Sequence, residues 1–365
     1  MKIALLGDIA FFGKYDLTKN SNASSYFSKV SAYLQGFDYV IGNFETPFTK
    51  LDRSTVCKSA HIKTDPKNAE LLKLLNISIV NLSNNHLFDY GIKGFKSTID
   101  ILEKNNIKYF GVDGKDLVID KTKVSLSGYC CYSANAVGYF VNNNKHGVNV
   151  LNGYELEKKI LKDKQNGLLS IVSVHCGDEH VHYPRQDHIK LARIMSDKSD
   201  YIFYGHHPHV MQGVEKHNNS LLAYSLGNFC FDDVYTKESN QPKIRQSQAN
   251  KESFILELDI IENKLINYKT TPIFDNGKEL IVDFANEEIL KKIKLYSDYL
   301  NINKEEYSQI RKLKLNKYIE SRRSLRNFNF YLKRLNLNTI GILLNAKKNV
   351  RGYNKNIVEY LKTNA

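Results

Sequence analysis

An α/β fold is predicted by three observations. Short apolar runs of strand length alternate with helical stretches through the first 280 residues, as in a sheet layered with helices. Chemistry-bearing side chains recur where those runs end: Asp8, Asn43 with Glu45, Asn85 with His86, His175, and His207 with His209. In open α/β sheets the carboxyl ends of strands are where ligands bind. After about residue 282 the pattern becomes helical, charged and rich in Asn and Lys, which predicts a helical appendage.

The elements follow in order. Residues 2–6 are an apolar strand ending at Gly7-Asp8, and 24–34 a helix. Residues 39–41 are a strand ending at Gly42-Asn43-Phe44-Glu45, and 68–75 a helix. The run 77–82 is a strand ending at Ser83-Asn84-Asn85-His86. Residues 94–105 place Phe95, Ile99 and Leu102 on one helical face, the spacing of an amphipathic helix. Strands are expected at 108–111, 124–132 and 168–174, the last ending at His175-Cys176-Gly177-Asp178-Glu179. A helix at 189–196 precedes the strand 201–204, which runs into Gly205-His206-His207-Pro208-His209. The strand 221–225 leads to Leu226-Gly227-Asn228, and 254–261 with 264–272 form a hairpin about Glu262-Asn263.

Composition sets the class. At 365 residues and 42% hydrophobic content, the chain can bury a large core. No apolar stretch approaches 18 residues, so no membrane span is expected. The run 3–6 is too short for a signal peptide. A cytoplasmic protein is expected, with a peripheral place at the inner face of the membrane open to it. Five scattered cysteines without a CxxC pattern argue against a disulfide framework or a zinc ribbon and for buried thiols. Of the net charge of +13, residues 281–365 carry most, with 18 Lys and Arg against 8 Asp and Glu. The basicity therefore belongs to the appendage.

The strand-end residues form a mixed oxygen and nitrogen donor set: Asp8, Glu45, Asn85, His175, His207 and His209. Such a set suits one or two divalent ions such as Mn, Zn or Fe, and not Ca or Mg alone. There are more donors than one tetrahedral site uses, and two adjacent metals would employ them all. His86, beside Asn85, is placed to act as general acid.

Six motifs in fixed order carry a resemblance. Gly7-Asp8, Gly42-Asn43-x-Glu45, Asn84-Asn85-His86-x-x-Asp89-x-Gly91, His175-x-Gly177-x-Glu179, Gly205-His206-His207-Pro208-His209-Val210 and Tyr224-Ser225-Leu226-Gly227-Asn228-Phe229 resemble the bacterial capsule-synthesis CapA/PgsA family. That family is associated with poly-γ-glutamate and other surface polymers, and belongs to the calcineurin-like metallophosphoesterase superfamily. The likeness covers roughly residues 1–231, with the hairpin to about 272. It implies a four-layer α/β/β/α sandwich over residues 1–275, followed by a basic helical extension over 276–365. It also implies Asp8, Glu45, Asn85, His175, His207 and His209 as metal ligands and His86 as the catalytic histidine. Asn43, Glu179, His206 and Asn228 are expected against the substrate. The chain departs from the phosphoesterase pattern in three places. Asp8-Ile9-Ala10 lacks the histidine of Asp-x-His, an Asn-x-Glu arrangement replaces the bridging Asp, and Cys176 stands where the family often has Trp.

The functional expectation is metal-dependent hydrolysis in capsule or surface-polysaccharide biosynthesis, on a surface-polymer or sugar-phosphate substrate. Two alternatives stand beside it: a non-catalytic metal-binding scaffold or polymer-binding subunit, and a metalloenzyme acting on an amide or glycan bond. His206 also has a structural reading, holding a ligand imidazole in its tautomer. His180 and His182 read as solvated loop residues, with a place at the pocket mouth as the alternative, and Cys176 as a buried filler, with a thiolate ligand as the alternative. The stretch 321–335 mixes arginines with Phe and Leu. It reads as a solvated helix packed on the body or a capsule-assembly partner, as a membrane-surface segment, or as a binding site for an acidic polymer. No nucleic-acid partner is expected, since no recognition motif is present.

Overall fold

The computed structural model describes residues 1–364 except 55, 59, 135–145, 237–238 and 325–335. The strands in chain order are β1 (Lys2–Ile9), β2 (Tyr39–Phe44), β3 (Ile77–Asn81), β4 (Lys108–Phe110), β5 (Leu117–Ile119), β6 (Val124–Cys130), β7 (Leu169–His175) and β8 (Tyr201–His206). They continue with β9 (Val214–His217), β10 (Ser220–Ala223), β11 (Asn228–Cys230), β12 (Val234–Thr236), β13 (Ser239–Ile244), β14 (Glu252–Ile261), β15 (Lys264–Asp275) and β16 (Leu280–Val282). One sheet has the order β16-β15-β14-β1-β2-β3-β4, with β11 also pairing with β1. The second runs β5-β6-β7-β8-β10-β9, and β12 pairs with β13 alone. Strands β1 to β4 are mutually parallel, as are β6, β7, β8 and β10.

Alternation along the strands builds the layers, because successive side chains point to opposite faces. Ile3 and Leu5 of β1 face the second sheet, where Ile171 and Ile202 complete the inner core. Ala4 and Leu6 face outward and join Val30, Leu72, Phe95 and Leu102. These come from helices α1 (Ser28–Leu34), α2 (Ala69–Leu74) and α3 (Gly91–Lys104). On the other side Val172, Val174 and Phe203 pack under α4 (Gly153–Gln165) and α5 (Gln186–Lys198) through Leu156, Ile160, Leu191 and Met195. The fold is an α/β/β/α sandwich. Its five cysteines are free, four of them buried.

A short helix α6 (Gln248–Lys251) lies beside β11, and α7 (Glu287–Asp298), α8 (Lys304–Ser324) and α9 (Leu337–Tyr353) follow the last strand. This C-terminal part is integrated with the sandwich. Ile289 and Ile293 of α7 enter the inner core. Tyr307 of α8, Tyr353 of α9, Ile357 and Tyr360 bury against the α4–α5 layer. Residues 325–335 of the basic-aromatic stretch 321–335 lie outside the described residues. No helix among the described residues is long and apolar enough to cross a membrane.

The turn Glu262-Asn263 has φ of 45° and 62°, the two positive values that a two-residue type I′ hairpin needs. Two glycines let strands close on one another. A Cβ at Gly7 would lie 2.0 Å from the Gly227 carbonyl oxygen, and one at Gly205 1.9 Å from that of Tyr224.

Candidate metal centre

The carboxyl ends of β1, β2, β7 and β8 converge because parallel pairing puts them side by side. Asp8 aligns with Asn43 across β1 and β2, and with Asn228 across β1 and β11. His175 aligns with His206 across β7 and β8. The two sheets meet at these ends, so carboxylates from one face imidazoles from the other.

Glu45 lies at the focus. It is fully buried, and neither carboxylate oxygen has a hydrogen-bond partner among the described residues. Its Oε1 is 3.5 Å from His175 Nε2 and 3.7 Å from His209 Nε2. Two groups of three have donor atoms within 4.8 Å of one another: Glu45 with His175 and His207, and Asp8 with Glu45 and His209. Glu45 belongs to both. An unpaired buried carboxylate is costly, so its place between two imidazole groups fits a cation-binding role. His207 Nδ1 is likewise buried without a partner. Asn85 Oδ1 is 3.0 Å from His175 Nε2, which puts this amide at the same focus.

Electrostatics follow from burial and crowding. Burial, with the nearby Asp8 and Glu179 charges, pushes the Glu45 carboxyl well above its usual range. Burial pushes the Asp8 carboxyl up too, but His206, His209 and Asn43 outweigh it and hold it below the ordinary value. Burial followed by the neighbouring imidazoles keeps His175 well below an ordinary histidine. Burial, opposed in part by Glu179, brings His207 down to about 4. His175 and His207 are therefore neutral at physiological pH, the form that ligates metal.

The backbone is strained here. His207 has a φ of 95°, His209 of 56° and His180 of 60°. Positive φ at a non-glycine residue is uncommon, and such strain collects at functional sites. The His207 turn lets its backbone N–H donate to Asp8 Oδ2 at 3.2 Å.

Three residues expected against the substrate are instead buried behind the ligands. Asn43 donates to Asp8 Oδ1 at 2.7 Å and lies 3.3 Å from His175 Nδ1. Its own oxygen accepts from Asn81 at 2.9 Å. Asn228 Oδ1 is 2.9 Å from His209 Nδ1. His206 stacks edge-on against Tyr204 and sits 3.4 Å from Asp8 Oδ1. Asn43 and His206 still lie within β2 and β8, and Asn228 opens β11, so all three side chains stay inside the sheet interface. Glu179 does reach it. With His86, His180, His209 and Phe231 it lines a cavity of about 30 Å³, room enough for a water-sized atom.

His180 reaches the pocket mouth, since it lines that cavity, and His182 is half-buried rather than solvated. Asn250 Nδ2 lies 2.9 Å from His180 Nδ1, and the His182 ring stacks on Tyr296 at 4.5 Å.

His86 is held by two residues that the sequence reading missed. Its Nδ1 is 2.7 Å from Asp89 Oδ2 and 3.1 Å from Lys58 Nζ. Lys58 also donates to Asp89 Oδ1 at 2.8 Å and to the Asn85 carbonyl at 2.7 Å. Asp89 belonged to a quoted motif, so it carried a signal. Lys58 did not, because it reaches the site from a loop 28 residues away in sequence. Burial outweighs Asp89 and lowers the His86 pKa. Burial is overcome at Asp89 by His86 and Lys58, which bring its carboxyl to about 2. The shorter contact at Nδ1 is an N–H donating to Asp89, which leaves Nε2 to handle protons.

A family model for the bacterial capsule synthesis protein PGA_cap matches residues 2–233. The chain belongs to this family. It is 30% identical over 286 residues to the PGA biosynthesis protein CapA of Bacillus subtilis, covering 75% of this chain and 71% of that one. It is also 30% identical over 274 residues to the capsule biosynthesis protein CapA of Bacillus anthracis, covering 71% and 66%. Among solved structures, the sulfate thiohydrolase SoxB of Thermus thermophilus aligns at a TM-score of 0.42 and 10% identity, over 76% of this chain and 46% of that one. The matched span contains Asp8, Glu45, Asn85, His175, His207 and His209.

Proposed function

We propose that the protein is a metal-dependent hydrolase of the phosphoesterase type that acts in the biosynthesis of a capsule or related surface polymer. The reading rests on one observation above all: a fully buried Glu45 with neither oxygen hydrogen-bonded among the described residues, shared by two groups of side chains able to ligate a metal. Family membership supports the biosynthetic setting. Glu45, His175 and His207, with Asn85, would hold one divalent ion, and Asp8, Glu45 and His209 a second. The donor set favours Mn, Zn or Fe. A metal in such a site activates water and neutralises charge at a phosphoryl group. The chain supplies the rest. Asn43, Asn228 and His206 fix the ligand side chains, as outer-shell partners do. Asp89 and Lys58 orient His86, which moves a proton at Nε2 between the reacting group and the cavity mouth. The substrate is a sugar-phosphate or surface polymer that presents an ester or anhydride at this mouth.

The test is to strip the protein with chelator and reload it with Mn²⁺, Zn²⁺ or Fe²⁺. Metal content is then measured by elemental mass spectrometry and hydrolysis with aryl phosphomonoesters and diesters. Wild type should bind metal and hydrolyse ester, and His207→Ala/His209→Ala should do neither. His86→Ala should keep the metal and lose hydrolysis. Metal without hydrolysis of any ester would favour the scaffold reading.

A further inference from the structure

Helix α9 presents an unusual outer face. Leu337, Ile340, Leu343, Leu344 and Val350 are between 54% and 84% exposed. At about 100° per residue, positions 337, 340, 344, 347 and 351 form one stripe along the helix. Its first half is Leu337, Ile340 and Leu344, with Leu343 alongside. Its second half is Lys347 and Arg351, with Lys348 alongside, all exposed. The opposite face holds the helix on the body. Asn349 and Tyr353 are buried there. A Cβ at Gly341 would lie 2.7 Å from Cys57 Sγ, and one at Gly352 2.5 Å from the Tyr132 ring. The aliphatic stripe is therefore fixed outward by the packing behind it.

We propose that this face of α9 docks on an anionic lipid bilayer. Four large aliphatic side chains on an anchored helix would enter the boundary between headgroups and acyl chains, while Lys347, Lys348 and Arg351 meet lipid phosphates. The charges argue against a second copy of the chain. Two-fold pairing through this stripe would set the basic turns against each other or bury them against the partner's leucines. A bilayer takes both halves at once, since it offers apolar depth and negative charge at one boundary. The docking also orients the molecule. Asn338, Thr339 and Ile342 of the same helix, with its cap Asn336, line a cleft of about 770 Å³ that Lys58 also lines. That lysine contacts His86, so the helix that carries the stripe also borders the approach to this histidine. The proposal does not depend on the hydrolase reading.

The test is flotation of the full chain with phosphatidylglycerol-containing vesicles, against vesicles of phosphatidylcholine alone. Wild type should float with the anionic vesicles and be released by high salt. Leu343→Glu/Leu344→Glu should abolish flotation. Lys347→Glu/Lys348→Glu should weaken it by about tenfold or more, since each basic residue near an anionic surface contributes about fivefold. All four positions are exposed, so the variants should keep the wild-type circular dichroism spectrum and melting temperature. Failure of wild type to float, or flotation unchanged in both folded variants, would overturn the proposal. A lipid-free dimer that Leu343→Glu/Leu344→Glu dissociates would assign the face to a second copy and overturn it equally.

Discussion

Glu45→Gln makes the strongest test of the centre, because the expected result is opposite with and without metal. In the metal-free protein both oxygens of Glu45 are buried and unpaired, and a buried unsatisfied polar group costs about 1–3 kcal/mol, more when charged. The amide removes the charge and its repulsion with Asp8. Metal-free Glu45→Gln should thus be more stable than wild type by about 1–3 kcal/mol, which for a chain of this size raises Tm by roughly 1–4 °C. Metal acts in the opposite direction and reverses the order unless the metal-free gap reaches the top of that range. At a free concentration about 1,000 times Kd, metal stabilises wild type by roughly 4 kcal/mol. If losing the shared carboxylate weakens binding about 100-fold, the same concentration gives the variant only about 1.4 kcal/mol. Differential scanning calorimetry of chelated and Mn²⁺- or Zn²⁺-loaded protein reads both arms. The pH dependence gives a third check. Glu45 has a raised folded pKa, so its contribution is present below the ordinary carboxylate range and lost as pH rises through the folded value. The metal-free gap between variant and wild type should therefore narrow on acidification. A lower metal-free Tm in the variant, or an undiminished metal-induced shift, would refute the assignment.

Other expectations follow from neighbouring contacts. Asp89, at about 2 against an ordinary 3.8, contributes roughly 2.4 kcal/mol above its unfolded pKa, lost as pH falls toward 2. Denaturant titration should find Asp89→Asn less stable by at least that amount at pH 7, since Lys58 is then left buried without its carboxylate. The difference should shrink in acid, and an equal difference at both pH values would count against the linkage. Gly205→Ala forces a Cβ into the Tyr224 carbonyl between β8 and β10. Soluble yield and Tm should fall sharply, whereas a native Tm would show that the strands separate freely. Arg311 of α8 bonds Asp178 and donates to the Tyr183 and Pro184 carbonyls at 3.2 Å. Arg311→Ala should speed hydrogen exchange in residues 177–184, and unchanged exchange would show that α8 does not restrain that loop.

The alternation of short apolar runs with amphipathic stretches was enough to read the sheet-and-helix order, since burial on both faces demands apolar runs. The hairpin of β14 and β15 was legible down to its turn. Helix α4 was missed: its buried Leu156 and Ile160 are sparse among lysines and glutamates, and the Asn152 cap only becomes evident once its side chain accepts from Tyr154 and Glu155. Strands β5, β9, β11 and β16 have three or four residues each and owe their form to partners rather than to local pattern.

The sequence by itself determined which side chains would end the strands, and so the donor types available to a metal. It could do so because strand ends are marked locally, by apolar runs that stop at Gly, Asn or His. Tertiary structure alone decided how those donors divide. Parallel pairing set Asp8 beside Asn43 and Asn228, and the facing sheets brought Glu45 between His175 and His209. That division turned Asn43, His206 and Asn228 into supports for the ligands, and it brought Lys58 to His86 from a loop with no motif of its own. The physical reason is range: strand propensity acts over a few residues, whereas a carboxylate meets its imidazole only after two sheets have packed.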